Sequence, residues 1–292
     1  MSVILTGLTQ YVEERRLPLI KEAVLKSKTA SLITPQTDVK WKAALNLIST
    51  TPVLQDGSAC GWNAAGDAEL SQRIITAPTI KINQSFCHKD FLKYWTGYEV
   101  RVAAGSENLP FEEYFTSLIV ENVKAENEKL IWNGNEDLGV DGFLTLMGED
   151  ETVVSATTAA SAFTAIKNVY MAIPEKVLDK AVIFVGADTF RSFIMEMVEK
   201  NLYHYSADGY PTEEFVFPGT NTKVIAVNGL NGTKKIVAAR LDNLFIGVDM
   251  MDDAEKFEVW YSKDFDEYRL AIQYNLGVQY AYGDEIVLGG LA

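Results

Sequence analysis

The residues able to do nucleophilic or metal chemistry are few. The chain of 292 residues holds two histidines, His88 and His204, and two cysteines, Cys60 and Cys87. A zinc site built on several imidazoles is excluded, and the cysteine spacing fits neither a zinc motif nor a disulfide framework. Cys87 and His88 put a thiol beside an imidazole in sequence. A nucleophile and its base are normally brought together in space from separate segments. Cys87 therefore reads as a small buried residue and His88 as an exposed one. His204, in Tyr203-His204-Tyr205, reads as a packing or interface residue.

The remaining motifs are equally spare. Cys60-Gly61-Trp62 lacks the flanking residues of a thiol-protease nucleophile and reads as a loop with an anchoring Trp. The runs Glu149-Asp150-Glu151 and Asp252-Asp253-Ala254-Glu255 could offer oxygens to a hard cation, but neither has the spacing of a calcium loop. Solvated turns between strands account for both. Gly229-Leu230-Asn231-Gly232-Thr233-Lys234 has the wrong spacing for a phosphate loop and predicts a hairpin turn between strands 223–227 and 235–239. No Gly-x-Ser-x-Gly elbow is present. Asn231-Gly232-Thr233 fits a glycosylation sequon, which has no meaning without secretion.

The net charge is −14, from 40 acidic and 26 basic residues. That balance argues against gripping nucleic acid through its phosphates, which needs a basic face. No apolar run of about 18 residues predicts a membrane span. The N-terminus has no basic, apolar signal sequence, so a reducing cytoplasm is the expected compartment.

Periodicity supplies the elements that must position these residues. Helical spacing covers 8–28, with Pro18 as an interruption, and 38–48, where Trp41, Leu45 and Ile48 share a face. Residues 51–72 carry Pro52, Gly57, Gly61 and Gly66 and predict loop or hairpin structure. Residues 73–83 are extended, with Ile80 and Ile82 alternating against Lys81 and Asn83, and a short helix follows over 89–95. The strongest element is a helix over 110–132. It has an apolar stripe of Phe111, Phe115, Leu118, Ile119 and Val123, and a wet face of Glu112, Glu113, Glu121, Lys124 and Glu128. Gly134 ends it. Helices over 161–173 and 188–201 flank a buried strand at 181–186, with Asp188 as the expected cap of the second. Further strands are predicted at 243–249, 257–261 and 268–277. No regular strand–helix–strand rhythm appears, so the fold class is α+β.

This order of elements resembles the Hong Kong 97-type fold of tailed-phage major capsid proteins. The segments that carry the likeness are Thr79-Ile80-Lys81-Ile82 through Leu92, Asn133-Gly134 through Gly142-Phe143-Leu144, Ile173-Pro174 through the helix at 188–201, and Leu244 to Asp249 with Arg269 to Val278. The resemblance implies an N-terminal arm and helix over 1–50 and an extension loop over 51–77. It implies a peripheral domain over 78–149 around the spine helix 110–132, an axial domain over 150–254, and closing strands over 255–292 that return to the peripheral domain. It also implies a non-enzymatic subunit, without cofactor or metal, that self-assembles into hexamers and pentamers of an icosahedral shell. Such a shell encloses double-stranded DNA without sequence-specific binding and touches no membrane. The absence of a long helical pre-sequence implies a separate scaffolding protein, or a matured chain, and a portal is a further implied partner. The virion, assembled in the host cytoplasm, is the implied location.

Expected intersubunit contacts are Gly57, Trp62 and Gly66 in the loop, Glu112 and Glu121 on the spine, and Tyr203, His204 and Tyr205. An encapsulin-type nanocompartment shell has the same fold and stays open as an alternative. A cytoplasmic enzyme using Cys87 is the alternative from another class.

Overall fold

The structure is a computed structural model that describes residues 2–56, 61–62, 65–103, 111–202, 214–249 and 256–292. The chain opens with α1 (Ser2–Leu25), α2 (Lys28–Leu32), β1 (Thr34–Gln36), β2 (Lys42–Pro52), β3 (Gly66–Thr76), β4 (Thr79–Cys87), α3 (His88–Ala103) and α4 (Phe111–Asn133). Its middle holds β5 (Gly134–Asn135), β6 (Val140–Asp141), α5 (Phe143–Glu149), β7 (Val154–Ser155), α6 (Ala162–Ala172), β8 (Ala181–Gly186) and α7 (Ala187–Glu199). It closes with β9 (Glu214–Val216), β10 (Lys223–Val227), β11 (Lys235–Arg240), β12 (Leu244–Val248), β13 (Lys256–Ser262), β14 (Glu267–Tyr280) and β15 (Val287–Gly290).

Two sheets organise the core. In the first, β14 is central: it pairs antiparallel with β4, β13 and β12, and β12 carries β1. Tyr268, Leu270, Ile272 and Tyr274 are buried while Arg269, Ala271 and Gln273 are half-buried, which is the period-two pattern of a strand with one face on a core. α1 and α4 pack with this sheet in one continuous apolar cluster that includes Ile20, Trp132 and Phe257. The second sheet runs β7-β15-β11-β8-β10-β9, with β8 buried along its whole length. α6 and α7 cover one of its faces through Ile166, Val169, Phe190 and Phe193. β12 thus belongs to the first sheet although it falls within 150–254, and β15 belongs to the second although it falls within 255–292.

Several expectations need correction. The helix expected over 38–48 is strand β2. Leu45 and Leu47 are buried while Ile48 is 61 % exposed, so the apolar positions follow period two and pair with β3. The short helix expected over 89–95 runs on to Ala103. Strands β10 and β11 are not a hairpin: β8 lies between them, parallel to β10 and antiparallel to β11. Asp188 is not the N-cap of α7. Gly186 takes that position, and the Asp188 carboxylate instead accepts from the backbone N–H of Thr189 and of Gly232.

α4 spans Phe111–Asn133 and stops at Gly134, whose φ of 71° suits glycine. On its expected wet face Glu128 is buried, at 3 % exposed, and Lys124 is half-buried. The Glu128 carboxylate accepts from the N–H and the hydroxyl of Thr29, and Trp132 Nε1 donates to the same Thr29 hydroxyl at 2.8 Å. One residue earlier, Asn127 donates to the carbonyl of Ala23 and accepts from Tyr274 Oη at 2.6 Å. Burial pushes the Tyr274 phenol up to about 12, against the opposing hydrogen bond with Asn127. The N-terminal helices are clasped to α4 through these groups.

Candidate assembly surface

β2 and β3 pair over eleven rungs, from Lys42↔Thr76 to Pro52↔Gly66. At about 3.4 Å per residue the ribbon is roughly 35 Å long. Its root is seated. Val39, Ile75 and Ala77 are buried in a small cluster of their own with Phe245 and Ala43. Gly247 in β12 and Gly277 in β14 face each other in register and let this root lie close on the sheet. Side chains of the body tie it down: Gln279 donates to the Ile74 carbonyl and Asn275 to the Lys40 carbonyl, both at 3.0 Å. Tyr282 Oη donates to the Ile48 carbonyl at 3.1 Å.

Beyond the root the strands run out into solvent. Residues 48–52 and 66–72 are exposed on both faces. The apolar side chains among them and past the end of the ladder lie open: Ile48, Val53, Leu70, Leu54 and Trp62, the last two at 100 % and 94 %. A two-stranded ribbon with no third strand and no helix on it is marginal in water, and its open edges and apolar side chains are templates for pairing with another chain. Between residues 43 and 72 the ribbon carries Asp56, Asp67 and Glu69 and no Lys or Arg. Gly66 closes the ladder with φ 95°, and a Cβ there would meet the backbone of residues 51–53, so its role is conformational.

Arg73 of β3 meets the body at a cluster. Its guanidinium pairs with Asp150 and lies 4.4 Å from the ring centre of Tyr280. Tyr280 Oη donates to Asp150 at 2.8 Å, and Thr152 donates to it through both N–H and hydroxyl. Burial alone would raise the Asp150 carboxyl, but the bonds from Thr152, Arg73 and Tyr280 outweigh it and hold the group well below the usual carboxylate range. Burial and the neighbouring carboxylate both push the Tyr280 phenol up. The expected acidic turn at 149–151 is therefore part of an ion pair.

A groove of about 400 Å³ runs between α4 and β4. Ile82, Ile119, Val123 and Leu130 line it, with Lys81 and Glu126 at its rim. Among the described residues the outer edge of β4 has no strand partner.

The expected contact residues separate into distinct places. Trp62 and Gly66 lie at and beyond the far end of the ribbon. Glu112 lies in the first turn of α4, and Glu121 lies farther along it. Glu121 is bonded within the subunit: Lys124 Nζ reaches it at 2.7 Å and Glu22 of α1 at 3.1 Å. Burial would lower the Lys124 pKa, but these two carboxylates raise it. Gly57, Tyr203, His204 and Tyr205 lie outside the described residues, as do Cys60 and the acidic run at 252–255. Cys87 is exposed rather than buried. Among the described residues no three His, Cys, Asp or Glu side chains gather to hold a metal, and no helix is long and apolar enough to cross a membrane.

No family model matches the chain, and no curated protein matches it in sequence. Solved structures do match in fold. The satellite phage P4 procapsid, a structure including the size determination (Sid) protein, superposes with a TM-score of 0.65 at 12 % identity, over 95 % of this chain and 91 % of that one. The capsid of the native GTA particle gives 0.62 at 11 % identity, over 93 % and 91 %. The virus-like particle from Pyrococcus furiosus gives 0.52 at 10 % identity, over 95 % and 98 %. The chain has the Hong Kong 97-type fold of phage capsid subunits, present across almost its whole length.

Proposed function

We propose that the chain is the major capsid protein of a tailed phage, self-assembling into the icosahedral shell that encloses double-stranded DNA. The observation that carries this reading is the β2–β3 ribbon. It presents the apolar side chains of Ile48, Leu70, Leu54 and Trp62 to solvent, in a fold shared with capsid subunits. Apolar surface of this kind is covered when the ribbon lies across a neighbouring copy. In this reading residues 51–77, with the ribbon strand that leads in from Lys42, are the extension loop, 78–149 the peripheral domain, 150–254 apart from β12 the axial domain, and 255–292 apart from β15 the closing strands. Gly57, Trp62, Gly66, Glu112, Glu121 and Tyr203 to Tyr205 contribute to contacts within and between hexamers and pentamers. A scaffolding protein and a portal complete the head, which forms in the host cytoplasm. The net charge of −14 suits a wall that holds DNA without gripping it.

Negative-stain microscopy with size-exclusion chromatography tests this. Closed particles, tubes or capsomers are expected; a strict monomer at high concentration, with crowding agent or candidate scaffold added, overturns it. A second reading, an encapsulin-type compartment, is favoured by the fold match over 98 % of the Pyrococcus particle subunit. Shells isolated with an enzyme cargo would decide for it, and shells carrying a portal vertex would decide against it.

A further inference from the structure

From the arrangement at the ribbon root, we infer that Arg73, Asp150 and Tyr280 form a latch that fixes the angle of the β2–β3 ribbon to the body, and that protonation of Asp150 opens it. The ribbon and the body face each other across a cleft of about 750 Å³, lined by Leu47, Glu69 and Gln72 on one side and Glu149, Thr152 and Tyr282 on the other. A lever with an open cleft behind it, its outer half exposed, is held where side chains bridge to the body. Two bridges lie out along the strands, beyond the buried root: the Tyr282 hydroxyl on the Ile48 carbonyl, and the ion pair of Arg73 with Asp150. The second is the charged one, and the Tyr280 ring beneath the guanidinium fixes its direction.

Asp150 is faced by Arg73 from β3, by Tyr280 from β14 and by Thr152 from its own loop. Glu69, Glu149, Glu151 and Asp284 also line the cleft, and Lys176 is held by Asp284 and Glu285. Once Asp150 is neutral, Arg73 faces this acidic cleft without its fixed partner, and the ribbon is free to tilt. The depressed pKa places the opening in acid, below the usual carboxylate range.

The test is the distance between spin labels on the ribbon and the body, measured on the full chain before assembly. Thr50→Cys and Lys167→Cys carry the labels in a Cys60→Ser, Cys87→Ser background. One narrow distance is expected at pH 7. Asp150→Asn at pH 7 is expected to raise the population outside that band roughly tenfold to hundredfold, the loss of one charge-assisted hydrogen bond. The parent in acid is expected to do the same. An Asp150→Asn distribution identical to the parent at pH 7 overturns the latch. Should that variant not fold, Tyr280→Phe keeps the ring and removes only the hydroxyl, which lies 2.8 Å from Asp150 and 3.1 Å from the Leu146 carbonyl; a smaller shift in the same direction supports the latch, and no shift overturns it. The inference bears on the shell reading through the ribbon, yet the two fail separately. Closed particles with unmoved distances refute the latch alone, and shifted distances in a chain that never assembles refute the shell alone.

Discussion

Replacing Gly277 with Ala places one methyl group where the structure has no room. A Cβ at this position would fall on the carbonyl group of Thr76, with Ala77 Cα just beyond it. Thr76 is the last rung of the ribbon, paired with Lys42, so no side-chain rotation relieves the clash and the root must lift off the sheet. Lifting exposes part of Val39 and Ile75, both fully buried. Full burial of each is worth about 1.5–3 kcal/mol, so partial loss of both, on top of the strain, gives an expected cost of about 3–4 kcal/mol. That is a large share of the roughly 5–15 kcal/mol that holds a domain folded. Gly247→Ala is the internal control. There the new Cβ meets Ile75 Cδ1 at 2.8 Å, the far end of a flexible side chain, and the expected cost is about 1 kcal/mol. Urea unfolding of the unassembled chain, read as the shift in midpoint at constant slope, measures both. A Gly277→Ala variant that costs no more than the about 1 kcal/mol expected for Gly247→Ala would refute the claim that the ribbon root rests on Gly277.

Glu128→Ala strips the buried acceptor from both donors of Thr29 and is expected to cost about 3 kcal/mol; Glu128→Gln, which keeps one acceptor, should cost less than half of that in the same urea experiment. Acid sensitivity follows from Asp150 and Glu196, whose carboxyls sit below their usual values of 3.8 and 4.5; for Glu196, burial would raise it, but bonds from Ser161, Ala162 and Phe163 lower it. Their contribution is complete above those values and is lost as pH falls through the lower folded-state values, so midpoints should begin to fall below about pH 4.5, and a Glu196→Gln, Asp150→Asn double variant should flatten the profile. Deletion of residues 55–70 should leave the circular dichroism of a folded subunit while closed particles vanish from micrographs; intact shells from that deletion would remove the ribbon from the assembly mechanism.

What the sequence made legible was local. The length and the terminal glycine of α4, the buried run Ala181–Gly186 and the alternation along β14 each follow from short-range sequence signals, and each lies where it was expected; the stripe of α4 holds at Ile119 and Val123 but not at Leu118, which is exposed. The mistakes share one cause, a partner distant in sequence. Trp41, Leu45 and Ile48 have helical spacing, yet β3 pulls the segment into a ribbon and leaves Trp41 and Ile48 exposed. Glu128 looks like one more solvated carboxylate on α4 until Thr29, 99 residues away, buries it. β10 and β11 flank turn dipeptides suited to a hairpin, and β8 takes the place between them. Arg73 and Asp150 carry no spacing signal because three elements must fold before they meet. The glycines in β12 and β14 were the one available hint, since glycine inside a strand often marks a close backbone approach.

The position of β14 also sets a clock on synthesis. β4, β13 and β12 all need this late strand, and β15, later still, sits between β7 and β11. The ribbon is translated about two hundred residues before Gly277, Gln279 and Tyr280, the groups on which it seats. At roughly 5–20 residues per second the ribosome takes about 10–40 seconds to cover that interval. Through that time the nascent chain holds the apolar ribbon without a fixed base or direction. On the proposed shell reading, competence to join neighbours would therefore arrive only with the last strands, so that a truncated or stalled chain would be poorly equipped to enter, and to spoil, a growing lattice.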